Sequence, residues 1–168
     1  SQVPYSTALH CRLKDETYLV GPLARVNLNF NLLPNQIKRL FGETDIQFPS
    51  NNMFHSIVAR CIEVYYSMCE AIRIMENYTY PDQSYIKMTP RAGVGFGCTE
   101  APRGLLWHRY EFTHDGLVKS SRIVPPTSQN QGRIEEDLRY TLEDYGLEHS
   151  DEELRQQGEM VIRNYAAF

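Results

Sequence analysis

The segment from Thr99 to Gly104 contains the residues best suited to bind a ligand. It reads Thr-Glu-Ala-Pro-Arg-Gly, which places Arg103 between Pro102 and Gly104. Proline restricts the backbone, and the guanidinium keeps its charge and offers five hydrogen-bond donors. The segment predicts either a rigid arginine that faces an anionic ligand or an ordinary turn. An arginine beside apolar prolines needs a partner, and we expect Glu100, a bound anion or a second chain to supply it.

A second candidate segment runs from Val124 to Asn130. Two prolines, Pro125 and Pro126, precede hydroxyl and amide side chains that begin at Thr127. Rigid apolar residues beside a few polar groups are typical of the wall of a dry binding pocket. An ordinary turn is again the alternative interpretation.

Self-contained catalytic motifs are absent from the sequence, which has no HExxH, GxSxG, P-loop or dinucleotide-binding fingerprint. The alternating glycines Gly93, Gly95 and Gly97 favour close approach of the backbone to another group over a phosphate-binding loop. The histidines show no ligand-like spacing. The cysteines form no CxxC pair and are expected to be reduced, buried thiols: Cys11, Cys61, Cys69 and Cys98.

Composition favours a globular protein over a disordered one. The 168 residues are 42% hydrophobic and 23% charged, in the range of a single domain spanning 1–168. A net charge of -4 with scattered basic residues argues against a nucleic-acid partner. No apolar run is long enough to span a bilayer, and the first residues lack a signal-peptide layout, so we expect a soluble, cytoplasmic protein.

Hydrophobic periodicity predicts the helices that must position these segments. Apolar residues recur every three or four positions from Ser50 to Tyr78, which predicts one long core helix. Shorter helices are predicted from Pro34 to Gly42, from Arg133 to Glu143, and from Ser150 to the terminus.

Two strands are predicted around a tight turn. Leu105–Phe112 and Leu117–Val124 flank Asp115 and Gly116, a strong hairpin signal. The fold class is therefore α+β, predominantly helical, with a long central helix beside an antiparallel β-hairpin. Because the hairpin folds back on itself, we expect Arg103 and the prolines after Val124 to meet at its open end.

Three phrases of the sequence resemble nickel-iron hydrogenase large subunits. They are YLVGPLARVNLNF, TEAPRGLLWHRYEF and DGLVKSSRIVPPTSQNQGRIEEDL. The likeness is greatest to the soluble cytoplasmic group, and it extends over nearly the whole chain. The resemblance implies the C-terminal part of a large-subunit fold and hydrogenase chemistry, the reversible heterolytic oxidation of H2.

The resemblance also implies roles for individual residues. In this family the arginine of the EAPRG phrase sits over the iron and its cyanide ligands, which makes Arg103 the candidate catalytic residue, with Pro102 beside it. The proline and hydroxyl residues that contact the diatomic ligands correspond to Pro125, Pro126 and Thr127. By spacing, the backbone carbonyl of Ile123 would help to bind a structural magnesium ion.

The sequence departs from the family at the metal ligands. The family binds nickel through two CxxC motifs, one near each end of the subunit, and these 168 residues contain neither. Ala166, Ala167 and Phe168 stand where the aspartate, proline and first cysteine of the second motif would be. We interpret the chain as the C-terminal half of a large subunit, which takes part in a nickel-iron centre only if another chain supplies the cysteines.

Two hypotheses about function follow. The chain is either a hydrogenase component that surrounds a metal centre held by another chain, or a metal-free, hydrogenase-like structural or interaction subunit of a redox complex. The resemblance implies an iron-sulfur small subunit and other hydrogenase or redox-complex subunits as partners. Under either hypothesis, the isolated chain should expose apolar surface that neighbouring polypeptides cover.

Overall fold

The structure, a computed structural model, describes residues 1–165. Across these residues, helices accompany one antiparallel sheet of three strands. In chain order the elements are α1 (Pro22–Asn29), α2 (Asn35–Gly42), α3 (Ser56–Glu76), β1 (Gly93–Ala101), β2 (Gly104–Phe112), β3 (Val118–Val124), α4 (Pro126–Tyr145) and α5 (Asp151–Tyr165). The predicted α+β class, predominantly helical, is confirmed. The predicted run of the last helix beyond Tyr165 lies outside the described residues.

Helix α3 is the long helix that the hydrophobic periodicity predicts. A short 3-10 turn, Met53–His55, precedes it and is capped by the side chain of Asn52. No glycine or proline interrupts α3, so it continues unbroken from Ser56 to Glu76. The helix therefore begins later than predicted, because the residues just before it form the capped turn.

The hydrophobic core lies between α1, α2 and the first half of α3. Its buried members are Leu23, Val26, Ile37, Ala59 and Ile62. From Val64 onward, α3 exposes large apolar side chains: Val64, Met68, Ile72 and Met75. This exposure confirms the expected apolar surface. Within residues 1–165 no helix has the length and apolarity needed to cross a membrane.

The sheet has one more strand than the predicted hairpin. Strand β1 contains the alternating glycines and pairs with the whole of β2, from Gly93 opposite Phe112 to Ala101 opposite Gly104. It was missed because its side chains are almost all exposed, so burial imposes no alternation of apolar and polar residues on its sequence. The predicted pairing of β2 with β3 is confirmed, with Trp107 opposite Val124.

Helix α4 begins at Pro126 rather than at the predicted Arg133. A proline fits the first turn of a helix because the amide hydrogen it lacks has no partner there. The polar residues that follow the proline favour a loop by composition, but Gln129 and Asn130 are buried in this first turn. Their amide groups contact neighbouring segments, which is why polar residues are favoured inside the fold at this point.

The start of α5 has the predicted capping box. The Ser150 amide donates to Glu153 Oε2 at 3.0 Å, and the Glu153 amide donates to Ser150 Oγ at 3.4 Å. Ser150→Ala is expected to lower the free energy of unfolding by about 1 kcal/mol, because an orphan amide at the helix start loses its acceptor. Urea denaturation measures this loss. Ser121→Ala, at an exposed position of β3, is the control, and equal losses in the two variants would contradict the capping role.

Candidate functional site

Two glycines position the turn that carries Arg103. A Cβ atom on Gly21 would lie 2.7 Å from the carbonyl oxygen of Arg103, and one on Gly104 would lie 2.6 Å from Val20 Cγ2. Both glycines have positive φ, 119° and 136°, which other residues rarely adopt. The β1–β2 turn therefore lies directly against the start of α1.

Arg25 of α1 also binds the turn that carries Arg103, through hydrogen bonds. Its Nε and Nη2 atoms donate to the two carboxylate oxygens of Glu63 on α3, at 2.6 and 2.7 Å. Its Nη1 donates to Glu100 at 2.5 Å and to the carbonyl oxygen of Ala101 at 3.0 Å, and its Nη2 also reaches the Pro102 carbonyl oxygen at 3.2 Å. The hydrogen bonds to Glu63 are the main reason that the pKa of Arg25 is raised.

This network was missed in the sequence, and it corrects one expectation. Glu100 pairs with Arg25, not with Arg103. The sequence feature that could have indicated the network is Arg25 itself, the one charged residue in the α1 segment PLARVNLN. The neighbouring residues do not indicate which carboxylates it binds.

Arg103 lines a small cavity of about 20 Å³, called here the Arg103 cavity. Its apolar lining comes from Leu19, Val20, Pro22, Leu23 and Met53. Its polar lining comes from Ser56 and Arg60 of α3, Asn130 of α4, and Asn164 and Tyr165 of α5. Apolar and polar residues thus share the lining, and a cavity of this size has room for a molecule about as large as water.

The other predicted site residues are not among the described residues that line this cavity. Pro102 is exposed beside Arg103, while Pro125 and Thr127 are exposed and Pro126 is buried at the start of α4. Ile123 lies on β3, opposite His108.

The hairpin does return the chain as expected. Gln129 Nε2 donates to the Leu105 carbonyl oxygen at 2.5 Å, so the start of α4 contacts the start of β2. Asn130 then accepts from the Val20 amide at 2.8 Å and donates to the Val20 carbonyl oxygen at 2.9 Å. Asn130, rather than the prolines, therefore joins Arg103 at the cavity.

Two tyrosines near the cavity, Tyr18 and Tyr165, have raised pKa values. The hydroxyl of Tyr165 donates to Asp137, and burial followed by this hydrogen bond raises the pKa of Tyr165. Burial also raises the pKa of Tyr18 to about 12. Both phenols are therefore neutral at ordinary pH and act as hydrogen-bond donors.

The free energy of unfolding is expected to fall as pH rises from about 10 to about 12. In that range the unfolded chain releases the Tyr18 proton while the folded chain keeps it, so the stability present below pH 10 is lost as pH approaches the folded pKa. Denaturant unfolding at several pH values measures the slope. Tyr18→Phe should make the slope less steep, with the remaining slope due to Tyr165, whereas Tyr80→Phe, 85% exposed, should leave it unchanged. Identical slopes in the two variants would rule out the assignment to Tyr18.

Comparison with known proteins identifies the relatives of this chain. No protein-family model matches it. Sulfhydrogenase 1 subunit alpha of Pyrococcus furiosus is 29% identical over 97% of this chain and 38% of its own length. The NAD-reducing hydrogenase HoxS subunit beta of Cupriavidus necator is 31% identical over 87% of this chain and 33% of its own length. This chain is related to the nickel-iron hydrogenase large subunits.

Solved structures agree with the hydrogenase relationship. A NAD+-reducing NiFe-hydrogenase in the H2-reduced state superposes with a TM-score of 0.71 at 22% identity, covering 90% of this chain and 34% of that one. The NiFeSe-hydrogenase of Dm. baculatum gives a TM-score of 0.56 at 27% identity, covering 71% of this chain and 26% of that one. The predicted family resemblance is confirmed. The chain spans about a third of the length of the relatives it matches.

The residues present do not fit the role of ligands to a hydrogenase metal centre. Within residues 1–165 there is no group of three or more histidine, cysteine, aspartate or glutamate residues able to hold a metal ion. All four cysteines are free, and the prediction that they are buried is wrong: Cys61 and Cys98 are exposed, and Cys11 and Cys69 are only partly buried. Soft thiolates are the donors that suit nickel and iron here, and these residues do not assemble them.

Proposed function

We propose that this chain is a component of a nickel-iron hydrogenase large subunit and that it lines a metal centre whose cysteine ligands lie on another chain. The observation that carries the proposal is the placement of Arg103 at an apolar cavity in a relative of hydrogenase large subunits. When bound, the centre would supply the reversible heterolytic cleavage of H2. No described residue takes the place of its thiolate ligands.

The contribution of this chain's own residues would be electrostatic and steric. Arg103 presents a permanently charged donor that can face anionic ligands, and the turn that carries it is fixed by Gly21 and Arg25. A donor held in place before a reaction needs no reorganisation during it. The apolar lining, including Leu19 and Leu23, would exclude water and strengthen these interactions.

The remaining site residues enter the proposal through the family resemblance. Pro102, Pro125, Pro126 and Thr127 would shape the surroundings of the diatomic ligands, and the Ile123 carbonyl would contribute to a magnesium site. Although these residues do not line the Arg103 cavity in the described structure, Pro102 comes just before β2 and Pro125 just after β3, and Gln129 ties the start of α4 to the start of β2. This contact supports their placement on the same side of the sheet's open end as Arg103.

Partners are part of the same proposal. An iron-sulfur small subunit and further hydrogenase subunits would surround the chain, and the polypeptide that carries the cysteines would have to approach Arg103. The exposed apolar side chains of α3 are consistent with such neighbours, because an isolated helix face of this kind is otherwise unfavourable in water.

Nickel analysis of the native assembly tests the proposal. The chain should co-purify with nickel in equimolar amounts and with H2-dependent reduction of a redox dye, while the recombinant chain alone should bind no nickel. An intact native assembly without nickel would refute the proposal. It would support the alternative, a metal-free hydrogenase-like structural or interaction subunit of a redox complex.

A further inference from the structure

The outer edge of β1 is not protected against pairing with another strand. In the sheet order β1-β2-β3 this edge has no neighbouring strand among residues 1–165. Exposed edges usually carry lysine, proline or a bulge, because their free backbone amides and carbonyls otherwise recruit a further strand. Strand β3, the other edge, has Lys119, Arg122 and an irregular register at Phe112. Strand β1 reads GVGFGCTEA, with no proline or basic residue, and its one acidic residue, Glu100, is bound by Arg25.

One face of β1 consists of glycines beside a row of aromatic rings. An added Cβ at Gly93, Gly95 or Gly97 would meet no atom of residues 1–165 within 4 Å. A trough of about 390 Å³ lies over Gly95 and Gly97. Large side chains of an adjoining strand would fill this trough, as aromatic residues do beside edge glycines in other sheets. Its other wall is formed by three rings of β2 that stack with centroids 5.8 and 5.9 Å apart: His108, Tyr110 and Phe112.

We propose that the edge of β1 binds a strand of the polypeptide that completes the hydrogenase large subunit, and that this strand places large apolar or aromatic side chains over the glycines. Main-chain hydrogen bonds would hold the added strand, and the trough would select its side chains. The inference rests on the proposed function for the identity of the partner, and it names the surface that the partner binds.

Two observations favour this partner. The chain covers only 38% of the length of sulfhydrogenase 1 subunit alpha, so most of such a subunit lies outside it. Strand β1 ends at Ala101, directly before Pro102 and Arg103. A strand along the edge of β1 therefore reaches the turn that the cysteine-bearing polypeptide has to approach.

A second copy of this chain fits the edge less well. In a symmetric antiparallel pair of β1 strands, directly opposed residues lie on the same face of the sheet, so glycines would face glycines. The trough over Gly95 and Gly97 would then remain unfilled.

A synthetic peptide as long as β1 tests the edge on the purified 168-residue chain. Phenylalanine and threonine alternate in this probe, and alanine replaces phenylalanine in the comparison peptide. Calorimetric titration should show saturable binding of the phenylalanine peptide and about tenfold weaker binding of the alanine peptide, which leaves the trough unfilled. With the phenylalanine peptide bound, amide hydrogen exchange should slow in β1 and remain unchanged in β3.

Gly95→Val should weaken binding of the phenylalanine peptide about tenfold, because the valine side chain occupies the trough. Ser121→Val is the matched control, since Gly95 and Ser121 pair with Tyr110 from its two sides, and it should leave the affinity unchanged. If Gly95→Val fails to fold, Gly97→Val at a second open position decides. No saturable binding, equal binding of the two peptides, slowed exchange in β3 instead of β1, or equal affinity in the glycine and serine variants would each overturn the proposal.

Amide exchange in the native assembly tests the identity of the partner. Strand β1 should exchange about tenfold more slowly there than in the isolated chain, because pairing protects its outward amides. Equal rates would overturn the proposal, and exchange that slows in the isolated chain as its concentration rises would assign the edge to a second copy instead. Nickel is measured separately: a nickel-free assembly with a protected β1 would reject the proposed function and leave the paired edge standing, whereas a nickel-containing assembly with an unprotected β1 would reject this inference alone.

Discussion

Gly104→Ala is expected to lower the free energy of unfolding by about 3 kcal/mol, the largest effect of any single substitution considered for this chain. The new Cβ would lie 2.6 Å from Val20 Cγ2 and 3.0 Å from the Gly21 nitrogen. The backbone φ of 136° adds strain for any residue with a side chain. Because both obstacles involve the segment before α1, the β1–β2 turn would have to move away from it, and Arg103 would move with it.

The sheet provides a matched control for this substitution. Gly95 lies on β1, where an added Cβ would meet no atom within 4 Å and where φ is not positive. Gly95→Ala should therefore change stability little. Urea denaturation followed by circular dichroism compares the two variants. Equal losses would mean that the close contact of Gly104 with Val20 and Gly21 does not hold the turn.

Arg25→Met is expected to lower the free energy of unfolding by about 2 kcal/mol. Methionine keeps much of the side-chain volume but leaves the carboxylates of Glu63 and Glu100 without their shared cation. The carbonyl oxygens of Ala101 and Pro102 also lose a donor. The Arg25 and Glu63 side chains are 21% and 25% exposed, so solvent screens this network only in part.

The same substitution should also loosen the turn. Amide hydrogen exchange of β1 and β2 near Ala101 is expected to become faster in Arg25→Met. Arg122→Met, at an exposed β3 position, is the control for removing an arginine. If Arg25→Met and Arg122→Met unfold at the same urea concentration, the network contributes nothing measurable to stability.

Local sequence patterns determined several elements of this protein. The periodicity of α3 needs only residues three and four positions apart, and the β2–β3 hairpin depends on its Asp115–Gly116 turn. The Ser150 and Glu153 capping box is local in the same way. The three sequence phrases that resemble hydrogenase large subunits indicated the relationship that the comparisons confirm.

The candidate site was decided by contacts between segments that are far apart in the chain. Arg25 meets Glu100 across 75 positions, and Arg60 meets Asn164 across 104. The Gly21–Gly104 contact likewise depends on how α1 and the sheet pack. No local pattern encodes which carboxylate or carbonyl an arginine reaches, because that choice depends on the packing of whole elements. Local patterns in the sequence determined most of the helices, the β2–β3 hairpin and the family relationship. Strand β1, the true start of α4 and the cavity that Arg60 and Arg103 both line were decided only by the packing of whole elements in the tertiary structure.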